Sequence, residues 1–172
     1  MTPAQVSEAV ERELAFVDDA RVTALVRAGL VGPKPIELTW GYGDEVFTGW
    51  LVYRDEKSDT GIVFHDGGFA HATTLRWGLV FVDAVGATAD MGMDCGWFRT
   101  FTLALLDGHP AATLDIWRVY RQDDIASYPG VPLTPEASWD ATWAEVMLRR
   151  GGDPAGRYVC ECDARARADV AP

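Results

Sequence analysis

The sequence predicts a single α+β domain, in which a mostly antiparallel sheet of about five strands packs against an N-terminal helical segment and two further helices. Apolar residues recur at helical spacing through residues 1–30, and from Ile36 onward they alternate with a period of two. The 172 residues fit one domain, and no repeat or linker divides them. We expect residues 164–172 to form a frayed tail.

The N-terminal segment is predicted to be a helical hairpin or one bent helix. Thr2–Gln5 has the form of a capping box with a proline in the first turn. Asp18 and Asp19 are suited to start a second helix, which Gly29 or Gly32 would end. The apolar positions on the predicted inner faces are Val6, Val10, Leu14, Val17, Val22, Leu25 and Val26.

The middle of the chain is predicted to form strands that pair in hairpins. Gly43-Asp44 and Asp55–Asp59 have the composition of turns. Both faces of the second strand are largely apolar, so we expect this strand to be central and covered on both sides. The predicted strands are Ile36–Tyr42, Val46–Arg54, Gly61–Asp66 and Leu75–Asp83.

The C-terminal half is predicted to alternate helices and strands. A helix is expected to start at Asp94 and to bury Trp97, Phe101 and Leu105, which are spaced four residues apart. A last helix is expected to be capped by Thr134-Pro135 and to end at Gly151-Gly152. Its predicted inner residues are Trp139, Trp143, Val146 and Met147. The remaining predicted elements are a strand at Thr113–Arg121, a loop at Gln122–Leu133 and a short strand at Arg157–Asp163.

The charge balance restricts the possible partners. Acidic residues outnumber basic ones by 26 to 15, so the net charge is −11. This charge repels phosphate backbones and anionic lipids, which argues against nucleic-acid and membrane binding, and it favours association with a basic protein. No N-terminal signal pattern and no apolar run of membrane-spanning length occurs. Together with three cysteines, an odd number, these features predict a cytoplasmic protein with reduced thiols.

Cys95 is the one candidate nucleophile. At the start of a helix, its thiolate would be stabilised by the helix dipole and by free N–H groups. In an alternative function as a hydrolase or acyl transferase, Cys95 would attack, His65 or His71 would act as the base, and Asp66 or Asp90 would orient that base. Asp94–Phe98 resembles the start of the catalytic helix in NlpC-type cysteine peptidases. Those enzymes use a histidine well downstream, whereas the only downstream histidine here is His109.

The sequence predicts no cofactor and no metal site. His65 and His71 are six residues apart and do not match any metal-ligand motif. Cys160 and Cys162 are too few to close a zinc site, so we expect them to be core or edge residues. The glycine pairs also lack the pattern of a phosphate-binding loop.

One stretch carries a family resemblance. It contains Gly67-Gly68-Phe69, then Trp77–Phe81 with the sequence WGLVF, then Gly92–Phe98 with the sequence GMDCGWF. This stretch resembles small uncharacterised bacterial proteins with the pattern GFGP…WGLVF…GMDSGWF, in which a serine stands at the position of Cys95. Those proteins are similar in size, acidity and composition to immunity proteins of polymorphic toxins. The serine at that position in the pattern argues against Cys95 as a nucleophile.

The function predicted first is an acidic protein-binding module, an immunity or inhibitor protein that neutralises a basic toxin or effector. Carboxylates on turns would meet the partner's cations, and an exposed aromatic residue would supply the buried anchor. The loop Gly86–Asp94 is expected to contact the partner, because fixed ends would hold a free middle. The predicted partner-binding residues are Asp90, Met91, Asp94, Asp55, Glu56 and Asp59, with Asp44, Glu45, Asp123 and Asp124 as further carboxylates. A small-molecule-binding module with an aromatic pocket is a further alternative.

Overall fold

The computed structural model describes residues 1–69, 74–122 and 130–168. It confirms the α+β class. The helices are α1 (Pro3–Leu14), α2 (Ala20–Gly29), α3 (Phe101–Leu106), α4 (His109–Ala112), α5 (Trp139–Gly152) and α6 (Asp163–Ala168). The strands are β1 (Leu30–Thr39), β2 (Val46–Asp55), β3 (Thr60–Phe64), β4 (Trp77–Phe81), β5 (Thr88–Asp90), β6 (Trp97–Phe98), β7 (Arg118–Gln122) and β8 (Arg157–Glu161).

The two N-terminal helices form as the sequence predicts. The Thr2 side chain accepts a hydrogen bond from the Gln5 amide, and the Gln5 side chain accepts one from the Thr2 amide. Asp19 caps α2, which ends at Gly29. The side chains of Val6, Val10, Leu14, Val22 and Val26 are buried. Local capping and spacing therefore determine this part of the fold.

Six strands of the described residues form one curled sheet, in the order β5-β1-β2-β3-β4-β6. Adjacent strands of this sheet are antiparallel, except for β1 and β5, which run parallel. Val82, just after β4, pairs with Ala89 of β5, so the sheet bends back toward its own edge. Separate apolar clusters contain Val52 of β2 on one side and Leu51 on the other, which confirms that the second strand is covered on both faces.

The predicted helix start at Asp94 is wrong. Asp94–Gly96 is a short 3₁₀ turn, β6 follows it, and α3 begins at Phe101 with Thr100 as its N-cap. Trp97 pairs with Gly78 of β4, and its indole N–H donates a hydrogen bond to the Met91 carbonyl, 2.8 Å away. The four-residue spacing of buried aromatic residues therefore spans a strand and a helix rather than one helix.

The start of the last helix also differs from the prediction. Ser138, not Thr134, is the N-cap of α5. The Thr134 hydroxyl instead accepts a hydrogen bond from the Val119 amide, and Ala137 pairs with Trp117. Residues 132–137 therefore run alongside β7 and its preceding residue. The strand predicted from Thr113 begins only at Arg118, because α4 and a turn precede it.

The residues of α5 that face the core differ in part from the predicted ones. Val146 is fully buried as expected, and Thr142 is the other buried residue of the helix. Trp143 and Met147, predicted to be inside, are 38% and 54% exposed. The Thr142 hydroxyl lies 2.7 Å from the Cys160 sulfur, which fixes the side of the helix that faces β8.

The C-terminal region packs on the same core as the large sheet. The strands β7 and β8 form an antiparallel pair. Their residues Val119, Tyr158 and Cys160 join the cluster that also contains residues of α1, α2 and β2. Of the segment expected to be a frayed tail, residues 164–168 belong to α6, and residues 169–172 lie outside the described residues. No helix in the described ranges combines the length and the apolar character that crossing a membrane requires.

Candidate functional site

The structure removes the premise of a helix-activated cysteine. Cys95 is exposed and lies in the 3₁₀ turn, six residues before α3 begins. No hydrogen bond within the described part of the chain connects the Cys95 thiol with a histidine. The dipole argument does not apply to a turn of this length.

The proposed partners of Cys95 have other contacts. The Nδ1 atom of His65 lies 2.9 Å from the Gly68 carbonyl oxygen, to which it donates, and its ring packs edge-on against Phe47. The Asp66 carboxylate pairs with the terminal amino group of Met1. His71 lies outside the described residues. The described residues therefore do not assemble the predicted triad.

The other cysteines belong to the core. Cys160 and Cys162 are 2% and 1% exposed, and neither forms a disulfide. Burial raises the pKa of the Cys160 thiol to about 11 and that of the Cys162 thiol to about 12, because a thiolate is poorly solvated there. In the described ranges, no group of three or more histidine, cysteine or acidic residues is arranged to hold a metal ion.

The predicted partner-binding residues lie in two regions of the curled sheet, which the pairing of Val82 with Ala89 brings toward each other. We call the end that holds the turn Asp55–Thr60 and the end of β4 the hairpin end; Asp55, Glu56 and Asp59 are located there. We call the end where β1 leads into the turn before β2 the aromatic end. Asp90 pairs with Thr39 at this end. Asp94 does not lie there, because Phe98 pairs with Trp77 and Trp97 with Gly78, so the residues before β6 run toward the other end of β4.

The carboxylates at the hairpin end are partly engaged by their own turn. Asp55 accepts hydrogen bonds from the Lys57 amide and from the Ser58 hydroxyl. The basic side chains of Arg54 and Lys57 are next to these acids, and the Arg54 guanidinium donates to the Asp83 and Ala84 carbonyls. Local cations and hydrogen bonds therefore weaken the negative field at this end.

A groove of about 510 Å³ opens beside the hairpin end. Tyr53 lines it, and the absence of a side chain at Gly29 makes room for the Tyr53 ring, because a Cβ atom at Gly29 would lie 2.3 Å from that ring. Asp55, Glu56 and His109 also line it. The small-molecule alternative stays a prediction, and this groove is the place to test it.

The aromatic end carries a chain of packed rings that strand periodicity did not predict. The Trp40 ring packs edge-on against Tyr42 and Phe69, at centroid distances of 6.0 and 6.2 Å. Phe69 in turn lies 5.9 Å from the buried Trp97. Tyr42 is 75% exposed, so this chain of rings leads from the core to the surface.

Four exposed carboxylates lie on the segments that carry or adjoin these rings. Asp44 and Glu45 follow Tyr42 in the same turn, Asp90 is the last residue of β5, and Asp94 lies between β5 and β6. The ion pairs among the described residues do not include any of these four side chains. Their charge is therefore available to an external cation.

The loop Gly86–Asp94 is more ordered than predicted. Residues 88–90 form β5, which pairs with β1, so the middle of the loop is not free. Met91 is 2% exposed and packs in the apolar cluster that contains Leu51, which we call the second apolar cluster. A partner therefore cannot contact the Met91 side chain at the surface. Met93 is 58% exposed and is the methionine of this loop that reaches the surface.

One feature of the sequence could have predicted this aromatic surface. Trp40 and Tyr42 alternate with Gly41 and Gly43 in a turn, where strand alternation does not supply a core position. Two large aromatic residues in a turn indicate an exposed or partner-facing cluster.

Comparisons with protein-family models, with curated proteins and with solved structures find no match to this chain. The function is therefore inferred from the geometry of the described residues.

Proposed function

We propose that this chain is an acidic, cytoplasmic protein-binding module, an immunity or inhibitor protein, that neutralises a basic toxin or effector by docking its aromatic end on the partner. One observation carries the proposal. At this end, an exposed tyrosine is supported by packed rings and flanked by carboxylates that have no ion-pair partner among the described residues.

This arrangement suits a basic partner for two physical reasons. An aromatic side chain that is already held by its neighbours loses little conformational entropy when it is buried, so Tyr42 is a suitable anchor. Unpaired carboxylates at the rim attract a cationic surface and raise the association rate. The net charge of −11 acts in the same direction at longer range.

The test is affinity capture from the source cell with charge-matched variants. The aromatic-end variant is D44N/E45Q/D90N, and the control is D55N/E56Q/D59N at the hairpin end. Each variant removes the same charge, so a general effect of net charge would appear in both. Asparagine at position 90 retains the oxygen that accepts the Gly92 amide, so the local turn is preserved.

We expect the unmodified protein and the hairpin-end control to recover one stoichiometric basic protein, less of it as salt increases. The aromatic-end variant is expected to bind that protein about tenfold more weakly, which corresponds to the loss of one favourable contact region. Equal losses in both variants, or no stoichiometric partner in any sample, would reject the proposal.

A further inference from the structure

We propose that the aromatic end binds an arginine side chain of its partner, with the guanidinium group stacked on Tyr42 and hydrogen-bonded to Asp90. This inference rests on the proposed function, because it names the chemical group of the partner that the same surface recognises.

The first support is the geometry of the rings. Tyr42 is 75% exposed and packs edge-on against Trp40, which leaves ring surface accessible to a ligand. The Trp40 indole N–H is buried and has no hydrogen-bond partner within the described part of the chain. A Cβ atom at Gly43 would be in ordinary van der Waals contact with the Trp40 ring, at 3.4 Å, so the ring lies against the backbone of this turn. The tyrosine is therefore presented on a supported base.

The second support is the orientation of Asp90. Its Oδ1 atom accepts a hydrogen bond of 2.7 Å from the Gly92 amide, and Gly92 has a φ of +63° that favours glycine in this turn. Its Oδ2 atom lies 3.9 Å from the position that a Cβ atom on Gly41 would take. One oxygen therefore fixes the carboxylate, and the other is directed toward the turn that carries Tyr42.

The chemistry of this pair favours arginine over lysine. A guanidinium group is planar and weakly hydrated, so it stacks on an aromatic ring while its edge donates to a carboxylate. An ammonium group is compact and strongly hydrated and gains less from such a site. At the hairpin end, the exposed Phe81 pairs with Thr60. The acids of the neighbouring turn have Arg54 and Lys57 beside them in the sequence, whose positive charges reduce the attraction for an external cation.

The test titrates isotope-labelled protein with N-acetyl-arginine amide and follows the indole and backbone N–H resonances by NMR. N-acetyl-lysine amide tests for charge alone, and N-acetyl-citrulline amide is the uncharged analogue of nearly the same shape. The Trp40 indole resonance is assigned with the variant Trp40→Phe. The variants Tyr42→Ala and Asp90→Asn test the site, and Asp55→Asn is the control at the hairpin end.

We expect saturable shifts at Trp40, Tyr42 and Gly92 with the arginine probe in the millimolar range, and binding about tenfold weaker in Tyr42→Ala and Asp90→Asn. The lysine probe is expected to bind more weakly than arginine, and the citrulline probe to cause no saturable shift. Equal shifts with arginine and lysine, or unchanged binding in both site variants, would overturn the inference.

The two proposals fail in different ways. Capture of a basic protein that is lost in D44N/E45Q/D90N, combined with no arginine-specific shifts, would overturn the arginine site alone. Arginine-specific shifts at Tyr42 without any captured protein would overturn the proposed function alone.

Discussion

Glu13 is a single residue whose chemistry the fold changes strongly. It lies in the last turn of α1, and its carboxylate accepts a hydrogen bond of 3.2 Å from the Thr102 amide in the first turn of α3. Burial raises the pKa of the Glu13 carboxyl to about 7, although amide donors from Thr102 and Phe101 act to lower it. The folded protein therefore binds a proton at Glu13 more tightly than the unfolded chain does.

This pKa difference predicts a pH-dependent effect of Glu13→Gln. The stability that protonated Glu13 contributes is fully present below its unfolded pKa of 4.5 and is lost as the pH rises through about 7. The neutral glutamine does not titrate and keeps an oxygen for the Thr102 amide. We expect the free energy of unfolding of the variant, relative to the original protein, to rise by about 2 kcal/mol between about pH 5 and about pH 8. Urea unfolding of both proteins at the two pH values measures it, and a constant difference would contradict it.

At the scale of elements, the end of β5 places a surface residue directly before a packing residue. Met91 is buried in the second apolar cluster, whereas its neighbour Asp90 is exposed. We expect Met91→Ala to lower the free energy of unfolding by about 2–4 kcal/mol, because it leaves a cavity in the cluster. Asp90→Asn is expected to change it by no more than about 0.5 kcal/mol. Chemical denaturation measures both, and a small effect of Met91→Ala would show that the cluster relaxes around it.

Sequence predicts the elements whose signals are local. The capping box at Thr2 and the cap at Asp19 each involve residues within one helical turn, so α1 and α2 could be predicted. The strand that contains Trp97 depends on pairing with Gly78, which is distant in sequence. Spacing alone could not distinguish this strand from the first turn of a helix.

The same distinction applies to the candidate site. Its carboxylates lie in or next to turns and could be predicted from composition. The ring chain of Trp40, Phe69 and Trp97 could not, because three separate segments meet only when the sheet curls. The exposed side of α5, including Trp143, is likewise determined by the position of β8.

At the scale of the whole molecule, one apolar cluster connects both sheets. It contains buried residues of α1, α2 and the large sheet together with residues of β7, α5 and β8. Val146 of α5 is fully buried in it. Because the two sheets share this core, neither sheet can open without exposing apolar surface that belongs to the other. We therefore expect the chain to unfold as one cooperative unit.

Hydrogen exchange of Val146→Ala tests this cooperativity. The substitution removes two methyl groups from the shared core and is expected to lower the free energy of unfolding by about 2 kcal/mol. The slowest amides of β2 and β3, in the large sheet, should lose as much protection as those of β7 and β8, because both exchange through global unfolding. Leu148→Ala, on the same helix but 71% exposed, is the control and should have an effect below about 0.5 kcal/mol. Loss of protection confined to β7 and β8 would mean that the small sheet opens independently, and the shared cluster would then not couple the two sheets.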